Sequence, residues 1–290
     1  VSEGLPLAPL AGWLLQQGLA GAADEITVQP LAGGQSNPTF RVTTDRGDYV
    51  LRKQPPGPLL ASAHAIDREY RVMKALAATH VPVPRMAAWC DDASLLGTPF
   101  YLMEFLAGRV LADQSLPGLA PTQRAAVYGE MNRVLAALHA VDPAAVGLAD
   151  FGRSGNYVAR QVARWSRQCE ASTLPLPPAM RRLMEWLPQH LPTHDATTLV
   201  HGDYRLDNLV LDAREPRVLG VLDWELSTLG DPLADFSYHC MSWRIPATLW
   251  RGIAGLDLRA LGIPDEASYV RGYEKASGRA TAPHWEFYMA

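Results

Sequence analysis

The strand-like runs of this chain are gathered at its front. Ile26–Leu31, Thr39–Thr44 and Asp48–Lys53 are short β-like stretches between Gly and Pro punctuation, and the turn Asp45-Arg46-Gly47 joins the last two into an antiparallel meander. Another such run lies at Phe100–Phe105. One helix interrupts them, because Ile66, Tyr70, Met73 and Ala77 recur at helical spacing while Asp67, Arg68, Arg71 and Lys74 take the other side. Beyond Ala107 the texture changes to long helical patterns. Thr122–Ala140 carries Val127, Met131, Val134, Leu135 and Leu138 on one face, and Tyr157–Ala171 follows. This order predicts an α+β chain with an antiparallel-sheet N-terminal lobe at 1–105 and a mainly helical C-terminal lobe at 106–290. A chain of 290 residues, 48% of them hydrophobic, can bury two such cores.

Charge and cysteine usage narrow the partners. With 26 basic against 30 acidic residues the net charge is −4, and no Lys/Arg run forms a stripe for a phosphate backbone, so nucleic acid is not an expected partner. Cys90, Cys169 and Cys240 lie far apart and outside any CxxC, which predicts free thiols in a reducing cytoplasm. No run approaches the ~20 apolar residues of a membrane span, and Val1–Gly18 lacks the basic head and cleavage site of a signal peptide. No membrane partner is expected. The chain opens without Met and stops inside the apolar run His284–Ala290, which predicts one domain of a longer product.

The chemistry is concentrated in Leu199-Val200-His201-Gly202-Asp203-Tyr204-Arg205-Leu206-Asp207-Asn208, followed by Leu222-Asp223-Trp224-Glu225. Between them, Leu209–Leu211 and Val218–Leu222 flank Asp212–Arg217 as a hairpin. Asn208 precedes the first strand and Asp223 follows the second, so antiparallel pairing carries both to one end, where their oxygens suit magnesium. Phosphoryl transfer needs a carboxylate for the substrate hydroxyl, a cation on the phosphate and oxygen ligands for the metal. Asp203 is the candidate base, Arg205 the candidate phosphate clamp, Asn208 and Asp223 the metal ligands, and Glu225 is placed to touch a second magnesium or its water. A metal-hydrolase reading of His201, Asp203 and His239 competes, without any HxxxH or HxH pattern behind it. His201 is expected to orient the loop backbone.

Two features of the first lobe bear on the same chemistry. In Leu31-Ala32-Gly33-Gly34-Gln35-Ser36-Asn37, glycines let the backbone approach phosphates, and Ser36 and Asn37 can add donors; a bare Gly turn is the plainer reading. Glu69 is the sole charged group on the apolar face of its helix, so it requires a buried cationic partner. Strand alternation offers Arg52, which shares a face with Val50, or Lys53 if the strand is shifted by one.

His-Gly-Asp-x-x-x-x-Asn, Leu-Asp-Trp-Glu and Gly230-Asp231-Pro232 with Asp235 resemble the aminoglycoside phosphotransferase and choline kinase superfamily, where His-Gly-Asp replaces the His-Arg-Asp of protein kinases. The resemblance implies a two-lobed, protein-kinase-like fold that uses ATP and Mg2+ to phosphorylate a hydroxyl of a small molecule. It implies that Gly33, Gly34, Ser36 and Asn37 cover the nucleotide, that Arg52 paired with Glu69 stands where protein kinases have Lys and Glu, and that Asp231 and Asp235 pack under the catalytic loop. Met103–Leu106 resembles a kinase hinge, with the Glu104 C=O and the Leu106 N–H at the adenine edge.

The run His64–Leu76, with Gly155-Asn156-Tyr157, Arg160-Gln161 and Arg164-Trp165, resembles the branch fused in front of eukaryotic acyl-CoA dehydrogenases and associated with hydroxyacyl-CoA species. It implies a coenzyme A ester as acceptor and an acyl-CoA dehydrogenase as partner. Arg160 and Arg164, four residues apart with Trp165 adjacent, read as a cationic, aromatic wall for an anionic substrate or as a solvated basic face. No acidic cluster is placed to receive an aminoglycoside, and no Ala-Pro-Glu-like segment follows Asp223. An amino-alcohol or aminoglycoside kinase and a catalytically silent nucleotide-binding scaffold remain the alternatives. Asp203, Asn208 and Asp223 together favour an active kinase, since a scaffold has no chemical need for all of them.

Overall fold

Alternation at the front of the chain builds one sheet. In the computed structural model, which describes residues 5–31, 37–57, 65–193, 196–281 and 284–290, strands β1 (Thr27–Pro30), β2 (Thr39–Thr44), β3 (Gly47–Lys53), β4 (Met86–Cys90) and β5 (Phe100–Glu104) form a five-stranded sheet in the order β1-β2-β3-β5-β4. All its pairs are antiparallel. The chain divides into two compact units: residues 1–78, 82–107 and 219–225, and residues 79–81, 108–218 and 226–290. The predicted lobes placed 219–225 with the helices; by packing it belongs to the sheet unit, where the Val221 N–H donates to the Pro82 carbonyl at 2.9 Å.

In the sheet unit, helix α1 (Leu7–Gln16) buries Leu10, Trp13 and Leu14 with Val42, Leu51, Phe100 and Leu102 of the strands. Trp13 meets Phe100 edge-on at 4.9 Å, a geometry the ring quadrupoles favour. Helix α2 (Ile66–Leu76) buries Ile66, Glu69, Val72, Met73 and Leu76, so its apolar stripe includes one carboxylate, as the periodicity predicts. A short helix α3 (Ala93–Leu96) starts on an Asp92 cap whose side chain accepts from the Ser94 N–H and ends on Gly97 in the left-handed region.

The second unit contains α4 (Pro121–His139), α5 (Tyr157–Glu170), α6 (Pro178–Trp186), β6 (Thr198–Val200), β7 (Leu209–Leu211), β8 (Val218–Val221), β9 (Thr228–Gly230), α7 (Pro232–Cys240), α8 (Leu258–Leu261), α9 (Glu266–Ser277) and α10 (Trp285–Tyr288). Of β8 only Val218 falls in this unit; residues 219–221 belong to the sheet unit. β6 pairs with β9, and β7 with β8. The predicted hairpin is therefore present, closed by the Asp212 N–H on the Arg217 carbonyl at 2.8 Å. No helix among the described residues is long and apolar enough to cross a membrane.

The core of this unit is aromatic and wired by hydrogen bonds. Tyr204, fully buried, donates to the Met131 carbonyl at 2.9 Å, and Phe236 stacks on Tyr273 at 3.9 Å. His239 is 5% exposed, with its Nε2 2.8 Å from the Tyr269 hydroxyl. Burial lowers this imidazole from 6.5 to about 4. An unfolded histidine binds its proton near pH 6.5 and the folded one resists it until about pH 4, so stability is complete above the higher value and falls as pH drops between the two. The expected loss is about 3 kcal/mol. Urea unfolding from pH 7 to pH 4 checks it, and His239→Gln should flatten that slope.

Candidate active site

In the sheet unit, the predicted partnership of Glu69 is realised. Arg52 Nε lies 3.1 Å from Glu69 Oε2 and its Nη2 lies 2.8 Å from Asp223 Oδ1. Glu69 also accepts from Asn37 Nδ2 at 3.1 Å and from the Tyr101 hydroxyl at 3.0 Å. Burial drives the Glu69 carboxyl up, to about 7, against the pull of Arg52. Burial also opposes the charge of Arg52, but attraction to Glu69, Tyr101 and Asp223 outweighs it and raises the guanidinium above its ordinary value. Lys53 takes no part, since its Nζ donates to the Leu96 carbonyl at 2.5 Å. The register therefore selects Arg52.

Asn37, read from sequence as a donor to phosphates, is instead fully buried with its amide on Glu69. Gly33, Gly34 and Ser36 lie outside the described residues. At the end of β5 the Glu104 N–H is taken by the Arg85 carbonyl at 2.8 Å and the Phe105 N–H by the Asp48 carbonyl at 3.2 Å. No backbone bond from the Leu106 N–H is recorded among the described residues.

Asp223 adopts φ 65°, the left-handed region that Asp tolerates better than most side chains. Trp224, completely buried, anchors the same turn through its indole N–H on the Val221 carbonyl at 2.9 Å. Carboxylate oxygens of Glu69, Asp223 and Glu225 lie within 4.8 Å of one another. Glu69 is spent on its donors, so the half-buried Asp223 and Glu225 carry the oxygens a hard cation can use. This all-oxygen donor set fits magnesium.

In the helical unit the His-Gly-Asp loop is pinned by a buried carboxylate. Asp235, 3% exposed, accepts from the His201 N–H at 2.7 Å and the Gly202 N–H at 2.8 Å, and its Oδ2 lies 3.1 Å from His139 Nε2. Burial alone would raise this carboxyl; the bonds from His139 and His201 outweigh it and hold the group below its ordinary value. Asp231 caps α7 by accepting from the Leu233 N–H at 2.8 Å, and it accepts from the Tyr288 hydroxyl at 2.8 Å. Gly202 has φ 84°, and a Cβ there would lie 2.8 Å from the Leu226 carbonyl, so only glycine fits between His201 and Asp203.

Asp203 is gripped on both oxygens. Oδ1 accepts from the Tyr238 hydroxyl at 2.6 Å; Oδ2 accepts from Asn208 Nδ2 at 3.0 Å and lies 3.0 Å from Arg205 Nη2. Asn208 Nδ2 also donates to the Asp203 carbonyl at 2.9 Å, so both recorded bonds use its nitrogen and its Oδ1 is the atom suited to a cation. Arg205 faces Asp207 as well, at 3.5 Å. Its guanidinium is thus occupied by two carboxylates, where the sequence reading gave it to phosphate. Arg251, itself at φ 59°, bonds Asp207 and stacks on the exposed Trp250 at 3.7 Å. His201 Nδ1 accepts from the Asp203 N–H at 3.2 Å, and His239 serves Tyr269, so these imidazoles hold backbone and core where the hydrolase reading made them ligands.

Sequence reasoning missed Tyr238 and Arg251. Tyr238 had a faint signal, standing three residues after Asp235 on one helix face; Arg251 had none. Burial and the bond to Asp203 raise the Tyr238 hydroxyl above its ordinary value, so it remains a donor. Tyr238→Phe is expected to lower kcat about tenfold by releasing one oxygen of Asp203. Steady-state rates at saturating substrate check this.

With two oxygen-rich clusters and a pinned His-Gly-Asp loop in view, similarity to known proteins decides the family. Residues 27–288 match the phosphotransferase enzyme family, APH. The chain belongs to that family. A Ralstonia eutropha crystal structure named as an aminoglycoside phosphotransferase is 54% identical, with a TM-score of 0.90 over 99% of this chain and 84% of that one. The mouse acyl-CoA dehydrogenase family member 10 is 50% identical over 259 residues, 89% of this phosphotransferase chain but 24% of the relative. The chain thus spans about a quarter of that relative's length. A ternary complex of streptomycin, ATP and APH(2″)-IIa shares the fold, with a TM-score of 0.62 at 18% identity over 100% of this chain and 86% of that one.

Proposed function

We propose that this phosphotransferase moves the γ-phosphate of ATP onto a hydroxyl of a small molecule, with Asp203 as the base that orients and deprotonates that hydroxyl. The observation that carries the reading is the fixed carboxylate of Asp203, held by Tyr238, Asn208 and Arg205 on a loop that Asp235 pins. A general base must be prealigned, and this one has little freedom to turn. Arg205 acts by fixing that carboxylate. Arg52, held by Glu69 and Asp223, is the cation for the nucleotide phosphates. Gly33, Gly34 and Ser36 are assigned to the nucleotide phosphates, and the Glu104 C=O with the Leu106 N–H to the adenine edge.

Asp223, Glu225 and Asn208 would hold magnesium, which when bound neutralises charge on the phosphate oxygens. Asp223→Ala tests this. Mg-ATP at about 100 Kd should stabilise the wild type by about 2.7 kcal/mol and the variant hardly at all. An unchanged thermal shift in the variant would sink the metal assignment.

The acceptor we favour is a hydroxyacyl ester of coenzyme A, and the companion protein an acyl-CoA dehydrogenase. The dehydrogenase name of the mouse relative supports this reading, although the match covers only a quarter of it. A cytoplasmic setting is supported by three free cysteines.

A further inference from the structure

The arginines of α5 have no role in the base or the metal cluster. Arg160, Arg164 and Arg167 fall on one helix face, and with Arg153 and Gln161 they line a surface pocket of about 440 Å³. Among the described residues no carboxylate forms an ion pair with any of the four. Their recorded side-chain contacts are Arg160 Nη2 on the Arg153 carbonyl at 2.7 Å and Arg164 at 5.7 Å from the ring of Trp165, which is 58% exposed.

This arrangement is unfavourable in isolation. Like charges three and four residues apart repel, and Arg160 stands in the first turn, where the helix dipole disfavours a cation. No residue of α5 is fully buried and its first turn holds no acid; its one carboxylate, Glu170, stands beside Arg167 in the last turn, so Arg160 and Arg164 have no counter-charge on the helix within four residues. Nor does the whole chain lean positive, its net charge being −4. A local conflict without a structural gain marks a functional surface. Guanidinium forks bind phosphate oxygens in pairs. Arg160 and Arg167 are roughly 10 Å apart along the helix axis, more than one phosphate can bridge.

We propose that this face is a binding site for a small molecule carrying more than one phosphate group, namely the nucleotide handle of the acceptor. The consequence for turnover rests on the kinase reading; the binding site does not. Free polyphosphate shares this chemistry, and the experiment separates the two sources.

The test fills the nucleotide site with magnesium and a non-hydrolysable ATP analogue. Coenzyme A, dephospho-coenzyme A, phosphopantetheine, pantetheine and pyrophosphate are then titrated calorimetrically into the full chain. Affinity should fall stepwise as phosphates are stripped from coenzyme A. Arg164→Gln and Arg167→Gln should each weaken coenzyme A about tenfold, with unchanged circular dichroism and an unchanged Mg-ATP thermal shift. Pyrophosphate binding as tightly as coenzyme A, and losing affinity in the same variants, would support the phosphate site but with free polyphosphate as its ligand. Pantetheine binding as well as coenzyme A, unaltered affinity in both variants, or no binding by any probe would overturn the proposal. A wild type without a Mg-ATP shift that still binds coenzyme A through these arginines would mean that the kinase reading had failed and the site had not.

Discussion

Replacing Asp203 by asparagine is expected to lower kcat about a thousandfold while leaving Mg-ATP affinity within a factor of a few. The amide keeps the size of the side chain and can still meet Tyr238, Asn208 and Arg205, so the loop that Asp235 fixes through the His201 and Gly202 N–H groups should stay in place. What is lost is the proton acceptor. Steady-state kinetics beside a nucleotide thermal shift separate these quantities. A variant that turns over like the wild type would remove Asp203 from the mechanism, and one that loses nucleotide binding too would make its role structural.

The largest stability effect should come from Arg52→Met. Glu69 is 1% exposed, and among the described residues Arg52 is its sole cationic partner, with Tyr101 and Asn37 left to bond it. Breaking a buried pair by removing one member typically costs about 3–5 kcal/mol, because the other charge is left without compensation. Replacing both members by apolar residues is often close to neutral. Arg52→Met should therefore lower the urea midpoint sharply, and adding Glu69→Leu should restore most of the loss. A double variant no better than the single one would show that the penalty does not arise from a stranded carboxylate. Both variants should lose nucleotide binding, which separates the stability of the pair from its use.

The sequence made the Glu69 partnership legible because two periodicities met there. A helix wheel isolated the carboxylate on an apolar face, and strand alternation placed Arg52 inward. The choice of Arg52 over Lys53 needed the actual register, in which Arg52 opposes Tyr101, the residue whose hydroxyl also bonds Glu69. Gly202 was legible as part of a motif, but its reason, the approach of the Leu226 carbonyl, depends on a strand connection distant from it in local pattern. Arg205 was assigned to phosphate on type and spacing; the competing carboxylate of Asp207 and the bond from Arg251 arise from tertiary packing. Strand β4 escaped the sequence reading because Met86-Ala87-Ala88-Trp89-Cys90 shows weak alternation, and a bulge interrupts its register between Met86 and Ala88. Asn37 was misplaced for a similar reason, since nothing local distinguishes an amide aimed at a ligand from one buried on Glu69.

Mass-detected phosphorylation of hydroxyacyl-CoAs, choline, aminoglycosides and sugars by the wild type and Asp203→Asn under Mg-ATP tests whether the protein is a small-molecule kinase with Asp203 as its base. One acceptor class, the hydroxyacyl-CoAs, should gain a phosphate with the wild type and not with the variant. Tight Mg-ATP binding with no acceptor phosphorylated by either protein would contradict that reading.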